Sequence, residues 1–383
     1  MKIAYISHLN SDDVDAWSGQ IYNIKRALVE QGHEVMPVRL KTRCAFWPRI
    51  KKVAYRLLTG ENYLCERDPA QLKYWSAQAK RQLAEIPCDL VFAPTSLYYA
   101  YLSVEKPLVF WTDATFGVMV DYYPEFTDLC SETRKDGDAA EASALGRVDL
   151  AIYTSEWAAN DAKSRYKIPS ERVKVLPLGP NLVGGHSENN IKDLLIKRTT
   201  SPCKLLFVGG DWVRKGGVFA IAVTQELNRR GLLSELHIVG AKPPGDVPSF
   251  VRYHGFLRKS NPLHRARLSH LYSASTFLIL PTSAECYGIA LVDACAHGLP
   301  SITFSTGGLR RGLNCREFSH DTPFTVFCDY IESHMVPERY EPLVLAAFEE
   351  YKEHLNWPQI GAELSVCLEA LLTPGLMRRV TNR

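Results

Sequence analysis

Residues 277–304 constrain the fold more than any other stretch. An apolar run, Phe277-Leu-Ile-Leu280, is followed by a polar turn, a compact apolar segment over 289–296, the stop His297-Gly298, and then Pro300-Ser-Ile-Thr-Phe304. A four-residue run that is apolar throughout has the length and pattern of a strand buried on both faces. Ala290, Leu291, Ala294 and Cys295 recur at helical spacing, and Gly298 closes the helix. Strand, helix and strand in so short a span form a parallel crossover, the unit of an open α/β sheet. One acid, Glu285, stands at the mouth of that helix and a second, Asp293, one turn inside it. A helix N-terminus offers unpaired amides and partial positive charge to a phosphate, here at Tyr287, Gly288 and Ile289. Carboxylates are poor phosphate ligands but good acceptors for sugar hydroxyls. The pattern fits a nucleotide-sugar site with the diphosphate on the amides, one acid on the sugar and the other on the ribose. The bland alternative is a buried α/β unit with an incidental acid in its loop.

Glu285, Tyr287, Gly288, Ala294, Ala296, Gly298 and Pro300 at these spacings resemble the carboxylate signature of the family-4 retaining glycosyltransferases (glycosyl transferases group 1). Asp293 stands where that pattern has a second glutamate, one methylene longer. The resemblance implies the α/β GT-B fold, two doubly wound Rossmann-like domains facing across a cleft. It implies a metal-independent hexosyltransferase that moves sugar, with retention, from a nucleoside-diphosphate sugar to a glycan, lipid or small-molecule hydroxyl. No cofactor is implied beyond that donor. Glu285 would hold the donor sugar and Asp293 the ribose. The family places a basic pair on the diphosphate: Lys215-Gly216 matches its second member, while Gly210 replaces the first and Arg214 takes that part. Asp113 occupies the place of a family histidine near the reacting carbon, and Gly19 matches a glycine loop through which donor phosphate and acceptor approach.

The remaining sequence divides into two halves with one grammar. Residues 1–180 carry short apolar runs at Lys2–Ser7, Glu34–Arg39, Leu90–Ala93, Pro107–Trp111, Leu150–Tyr153 and Val173–Pro177, with a helix from Gly19 ended by Gly32. Pro177-Leu-Gly-Pro180 breaks regular structure, and 181–201 is polar enough for a linker. The second domain, 202–354, restarts with Leu205–Val208, a helix over Val218–Leu227, Leu236–Val239, and the unit described above. Pro342–Leu372 is helical by pattern, Trp357-Pro358 marks a bend, and 355–383 is expected to cross back to the first domain. A length of 383 residues with 46% hydrophobic and 23% charged residues supports two such cores.

Smaller features are judged against simpler explanations. Gly209-Gly-Asp-Trp-Val-Arg-Lys-Gly-Gly217 puts two cations at a helix start, against the helix dipole, which an anionic ligand would offset; a solvated basic turn is the alternative. Neither a Walker loop nor Gly-x-Gly-x-x-Gly after the first strand is present. Asp113 at the end of Pro107–Trp111 can act on a proton or on cationic character at the anomeric carbon, or simply cap the next helix. Asp13-Val-Asp15 and Asp136-Gly-Asp138 are the pairs a metal-dependent transferase would need; the second instead precedes a helix over 139–145 that it can cap. Residues 39–57 mix seven Lys and Arg with Phe46, Trp47, Tyr55 and Leu57, as a peripheral membrane contact or an acceptor-lining helix would. A net charge of +3 is too small to argue for nucleic acid, no apolar run approaches ~20 residues, and the N-terminus reads as a strand, so a cytoplasmic enzyme is expected. Ten scattered cysteines suggest reduced thiols. A sugar-nucleotide 2-epimerase and a non-catalytic nucleotide-sugar-binding subunit remain open.

Overall fold

The computed structural model describes residues 1–42, 46–182, 191, 194–195, 198, 201–309 and 315–373. The chain separates into two compact units: Met1–Leu178 together with the segment from Pro358 onward, and Gly179–Trp357. In the first, strands β1 (Lys2–Ser7), β2 (Glu34–Arg39), β3 (Leu90–Ala93), β4 (Leu108–Thr112), β5 (Leu150–Tyr153) and β6 (Val173–Val175) form one parallel sheet in the order β2-β1-β3-β4-β5-β6. The interior strands β3, β4 and β5 are buried along their whole length, which is why each appears in sequence as an unbroken apolar run. Trp75, Leu72, Phe110 and Tyr99 lie in the core on this sheet. The buried Tyr99 phenol oxygen lies 2.8 Å from the Val109 carbonyl oxygen and 3.2 Å from that of Val91, so its single hydrogen has an acceptor.

The second unit repeats the plan with β7 (Cys203–Gly209), β8 (Ser234–Gly240), β9 (Val251–Tyr253), β10 (Phe277–Leu280), β11 (Ser301–Phe304) and β12 (Cys315–Phe318), ordered β12-β11-β10-β7-β8-β9 and parallel. Strands β9 and β12 were not expected from sequence. Both lie at sheet edges, where Arg252 and Arg316 face solvent and break the apolar run. In each sheet the strand order reverses once, between β1 and β3 in the first and between β7 and β10 in the second. Ligands of doubly wound sheets bind beyond the strand carboxyl ends at such a reversal.

Three expectations are corrected. Asp136-Gly137-Asp138 does not precede a helix; it lies inside Ser131–Leu145, whose cap is Cys130, its Sγ accepting from the Thr133 amide. Asp and Gly are weak helix formers, so tertiary packing overrides their propensity. Within the expected linker 181–201, the described residues Ile191 and Arg198 are packed into the second unit: Ile191 is buried, and the buried Arg198 guanidinium donates to the carbonyls of Ser273 (2.9 Å), His297 (2.7 Å) and Gly298 (2.6 Å). The C-terminal helical stretch begins at Pro337 and runs as Pro337–Glu350, a π-turn Tyr351–Leu355, a break at Asn356, and Trp357–Leu372. Beyond Pro358 it packs on the first unit, where Ser365 Oγ meets His33 Nε2 at 2.7 Å and Glu363 meets Lys174 at 3.1 Å. Residues 374–383 lie outside the described residues.

Gly137 is required by packing. A Cβ there would come within 2.2 Å of the Phe116 ring, which follows the β4 loop. Ala gains ~1 kcal/mol of helix propensity over Gly, whereas overpacking a full core costs ~1–3 kcal/mol. The steric term wins, so Gly137→Ala should lower stability by ~1–2 kcal/mol in urea titration; an equal or higher midpoint would show that Phe116 yields freely.

Candidate active site

In the second unit the reversal between β7 and β10 brings the loop after β7 against the loop after β10. Their contact depends on Gly216, in the left-handed region at φ +77°, where a Cβ would sit 2.2 Å from the Pro281 carbonyl oxygen. With the backbones this close, the Arg214 carbonyl accepts from the Ser283 amide at 2.8 Å. Asp211 Oδ1 shapes the first loop by accepting from the amides of Val213 and Arg214 at 3.1 and 3.0 Å. Arg214 Nη1 then donates to the Ala284 carbonyl at 2.7 Å and lies 3.6 Å from Glu285 Oε1. Lys215 Nζ bonds that same carboxylate oxygen. Glu285 is 5% exposed, so these cations face a carboxylate largely removed from water.

Gly288, at φ +81°, turns the chain into the helix Ile289–Ala296 and serves as its N-cap. Gly308 packs on the turn before it, where a Cβ would meet the Glu285 carbonyl oxygen at 2.1 Å. Tyr287 is buried. The result is a helix N-terminus, with its partial positive charge, next to a lysine, an arginine and one buried acid. Such a set can hold a diphosphate and a hydroxyl-bearing group together.

Asp293 has more partners than sequence suggested. It is buried, and Oδ1 accepts from the amides of Asn181 and Leu182 at 2.7 and 2.9 Å. Oδ2 lies 3.6 Å from Lys259 Nζ. One oxygen therefore holds the start of the second unit, and the other is left beside a cation. His297, noted only as a stop residue, is buried with Nδ1 2.7 Å from the Asp293 carbonyl and Nε2 3.0 Å from Ser269 Oγ.

In the first unit Asp113 directly follows β4, at the carboxyl edge of the sheet, and is half-buried. It does not cap the following helix. That part falls to Thr115, whose Oγ1 accepts from the Val118 amide at 3.3 Å. Glycine 19 is the left-handed N-cap of Gln20–Glu30 at φ +88°, preceded by Trp17 and Ser18 at φ 45° and 56°. Two non-glycine residues held at positive φ are strained, a feature that gathers at ligand-binding turns.

The two halves match known sequence families. Residues 20–182 match the model described as Glycosyltransferase Family 4, and residues 202–320 match Glycosyl transferases group 1. The chain belongs to the family-4 glycosyltransferases. Solved structures share its GT-B fold over nearly the full length. Sucrose-phosphate synthase from Thermosynechococcus elongatus aligns with TM-score 0.69 and 16% identity, covering 97% of this chain and 99% of that one. Anabaena Alr3699/HepE, solved with UDP-glucose, gives 0.63 and 16% over 97% and 100%. WaaG, a glycosyltransferase involved in lipopolysaccharide biosynthesis, gives 0.64 and 15% over 97% and 100%. No curated protein matches by sequence.

This glycosyltransferase keeps Glu285, Arg214, Lys215 and the Tyr287-Gly288-Ile289 turn in one cluster, while Asp113 and Gly19 belong to the other unit. A Cβ at Gly210 would meet nothing within 4 Å, so the missing basic residue is not excluded by local packing. Sequence inspection missed Lys259, which lies in an irregular stretch and gains meaning only from its distance to Asp293. It also missed His8, whose position immediately after β1 was the available signal. Gly216→Ala combines a positive φ with a clash against backbone and should lower stability by about 1–3 kcal/mol, with the unfolding midpoint as the measure. A midpoint unchanged from wild type would mean that the two loops do not need this approach.

Proposed function

We propose that this glycosyltransferase moves a hexosyl group from a nucleoside-diphosphate sugar to a hydroxyl acceptor, with retention and without a metal ion. The observation that carries the proposal is the convergence of Lys215 and Arg214 on the buried Glu285 beside the N-terminus of Ile289–Ala296. When the donor binds, its diphosphate competes with Glu285 for the two cations and takes further hydrogen bonds from the amides at Tyr287–Ile289. Stabilising the charge that grows on the leaving diphosphate is the main catalytic contribution. Glu285, freed in part from its cations, accepts hydroxyls of the donor sugar. The Oδ2 of Asp293, with Lys259 beside it, is available to the ribose. Asp113, at the end of β4, supplies the carboxylate for the acceptor proton or the anomeric carbon, and Gly19 opens the turn after β1. Anabaena Alr3699/HepE with UDP-glucose supports a nucleotide-sugar donor for this fold.

Glu285→Gln should keep the fold and the binding of free nucleoside diphosphate yet lower turnover at least about tenfold, as for loss of a charge-assisted hydrogen bond. Lys215→Ala should weaken donor binding by about tenfold to a hundredfold. EDTA should leave turnover intact, and Asp113→Asn should lower it by about 10²–10⁴. Full activity in Glu285→Gln removes this mechanism. Release of free sugar with no transfer to any acceptor points instead to the epimerase chemistry.

The acceptor side includes a peripheral membrane contact through the helix Phe46–Leu58. Its inner edge is tied down by the Tyr55 phenol donating to Glu132 at 3.1 Å. Trp47, Ile50, Val53, Leu57 and Leu58 recur at helical spacing on the outside, Trp47 69%, Leu57 79% and Leu58 82% exposed. Arg49, Lys52 and Arg56 are exposed along the adjoining stripe, and the helix carries no acid. An apolar face flanked by cations suits an anionic bilayer surface. Among the described residues no helix is long and apolar enough to cross a membrane. Arg43, part of the same basic segment, lies outside the described residues. The full chain should sediment with phosphatidylserine-rich vesicles and not with phosphatidylcholine alone. Trp47→Ser with Leu57→Ser should weaken that binding by at least about tenfold. Wild-type protein that stays in the supernatant with both vesicle types rules the contact out.

A further inference from the structure

The first sheet has its own reversal, between β1 and β3, and none of the residues named above for chemistry except Gly19 follows either of these strands. His8 comes directly after β1, and Tyr98 lies in the short helix Ser96–Tyr99 just after β3. The half-buried His8 ring is stacked on the buried Trp75 indole, with centroids 5.1 Å apart and planes 16° apart. Its Nδ1 lies 2.6 Å from the Tyr98 phenol oxygen. That oxygen also accepts from the His8 backbone amide at 3.2 Å.

The tautomer follows from these contacts. The phenol oxygen already accepts from the His8 amide and keeps one hydrogen to give, and His8 Nδ1 at 2.6 Å is the acceptor it meets. Nδ1 is then the acceptor and Nε2 carries the hydrogen. Among the described residues nothing bonds His8 Nε2. Burial keeps the imidazole below its ordinary pKa, opposed only in part by Glu66, which favours the neutral ring near pH 7. A neutral histidine locked in one tautomer, with its N–H unused, at the reversal of a doubly wound sheet, is built to donate one hydrogen bond to a ligand oxygen.

We propose that His8 Nε2–H is a sugar-hydroxyl-binding group of the first unit, oriented by Tyr98 and Trp75. The assignment to an acceptor sugar rests on the glycosyl-transfer function proposed above. Strand β1 is two strands from β4, about 10 Å at ordinary strand spacing, so His8 and Asp113 address opposite ends of a group the size of a hexose. The substrate class this selects is a polyhydroxyl acceptor, with the reacting hydroxyl at Asp113 and a second oxygen at His8.

The test uses the full chain with ¹⁵N-labelled histidine. Ring ¹⁵N–¹H correlations should show His8 in the Nε2–H form at neutral pH, and Tyr98→Phe should release the ring into a mixture of tautomers. Glucose, galactose, mannose and N-acetylglucosamine are then titrated in turn as probes. At least one should move the His8 Nε2 resonance and bind about fivefold to tenfold less tightly to His8→Phe. Phe keeps the stack on Trp75, so a merely structural role would leave sugar binding unchanged. A Nδ1–H tautomer in the wild type, or four sugars that leave His8 unmoved, overturns the proposal. Sugar binding at His8 does not require turnover, so a protein that binds sugar here but transfers none separates failure of the glycosyl-transfer function from failure of this site.

Discussion

A carboxylate taken out of water must be paired, and the second unit is arranged around one such group. Glu285 is almost fully buried at the carboxyl end of its sheet, and both Lys215 and Arg214 reach it from the neighbouring strand's loop. Removing one partner from a buried ion pair is more costly than never having built it, because the remaining charge is left stranded. This makes the two loops interdependent: the acid needs the cations, and the cations need Gly216 to bring their backbone against Pro281. A diphosphate entering beside them replaces one anionic partner by another, so the site is electrostatically prepared before ligand arrives.

A second buried acid does a different job. Asp293 accepts from the amides of Asn181 and Leu182, and Trp357 donates its indole N–H to the Pro180 carbonyl at 2.8 Å while Gly179 lies against its ring. The first and last residues of the second unit are thus pinned to one another and to the helix that carries the signature. Arg198 adds to this by binding carbonyls at the ends of two helices. A change at Asp293 therefore acts on the placement of that segment as well as on any ligand it meets.

Much of the fold was legible because interior parallel strands announce themselves. Lys2–Ser7, Leu90–Ala93 and Phe277–Leu280 have the bounds expected of them, each being a short, mostly apolar run. Edge strands β9 and β12 were invisible for the opposite reason: half of each faces water, so charged residues interrupt the pattern. The helix Ser131–Leu145 was cut short in sequence because Asp136-Gly-Asp138 mimics a cap, whereas Gly137 is there to admit Phe116.

For the site, sequence by itself determined the residue types at fixed spacing: Glu285, Tyr287, Gly288 and Asp293 on one strand-to-helix unit, and Arg214 and Lys215 before another. Local spacing is enough there because a strand, a tight turn and a helix place their own side chains within a few residues. Only the tertiary structure decided which of those groups face one another. The Lys215–Glu285 and Asp293–Lys259 pairs and the lock of His8 by Tyr98 each join residues from separate elements of the chain. Strand order sets those meetings, and strand order is a property of long-range packing that no local pattern carries.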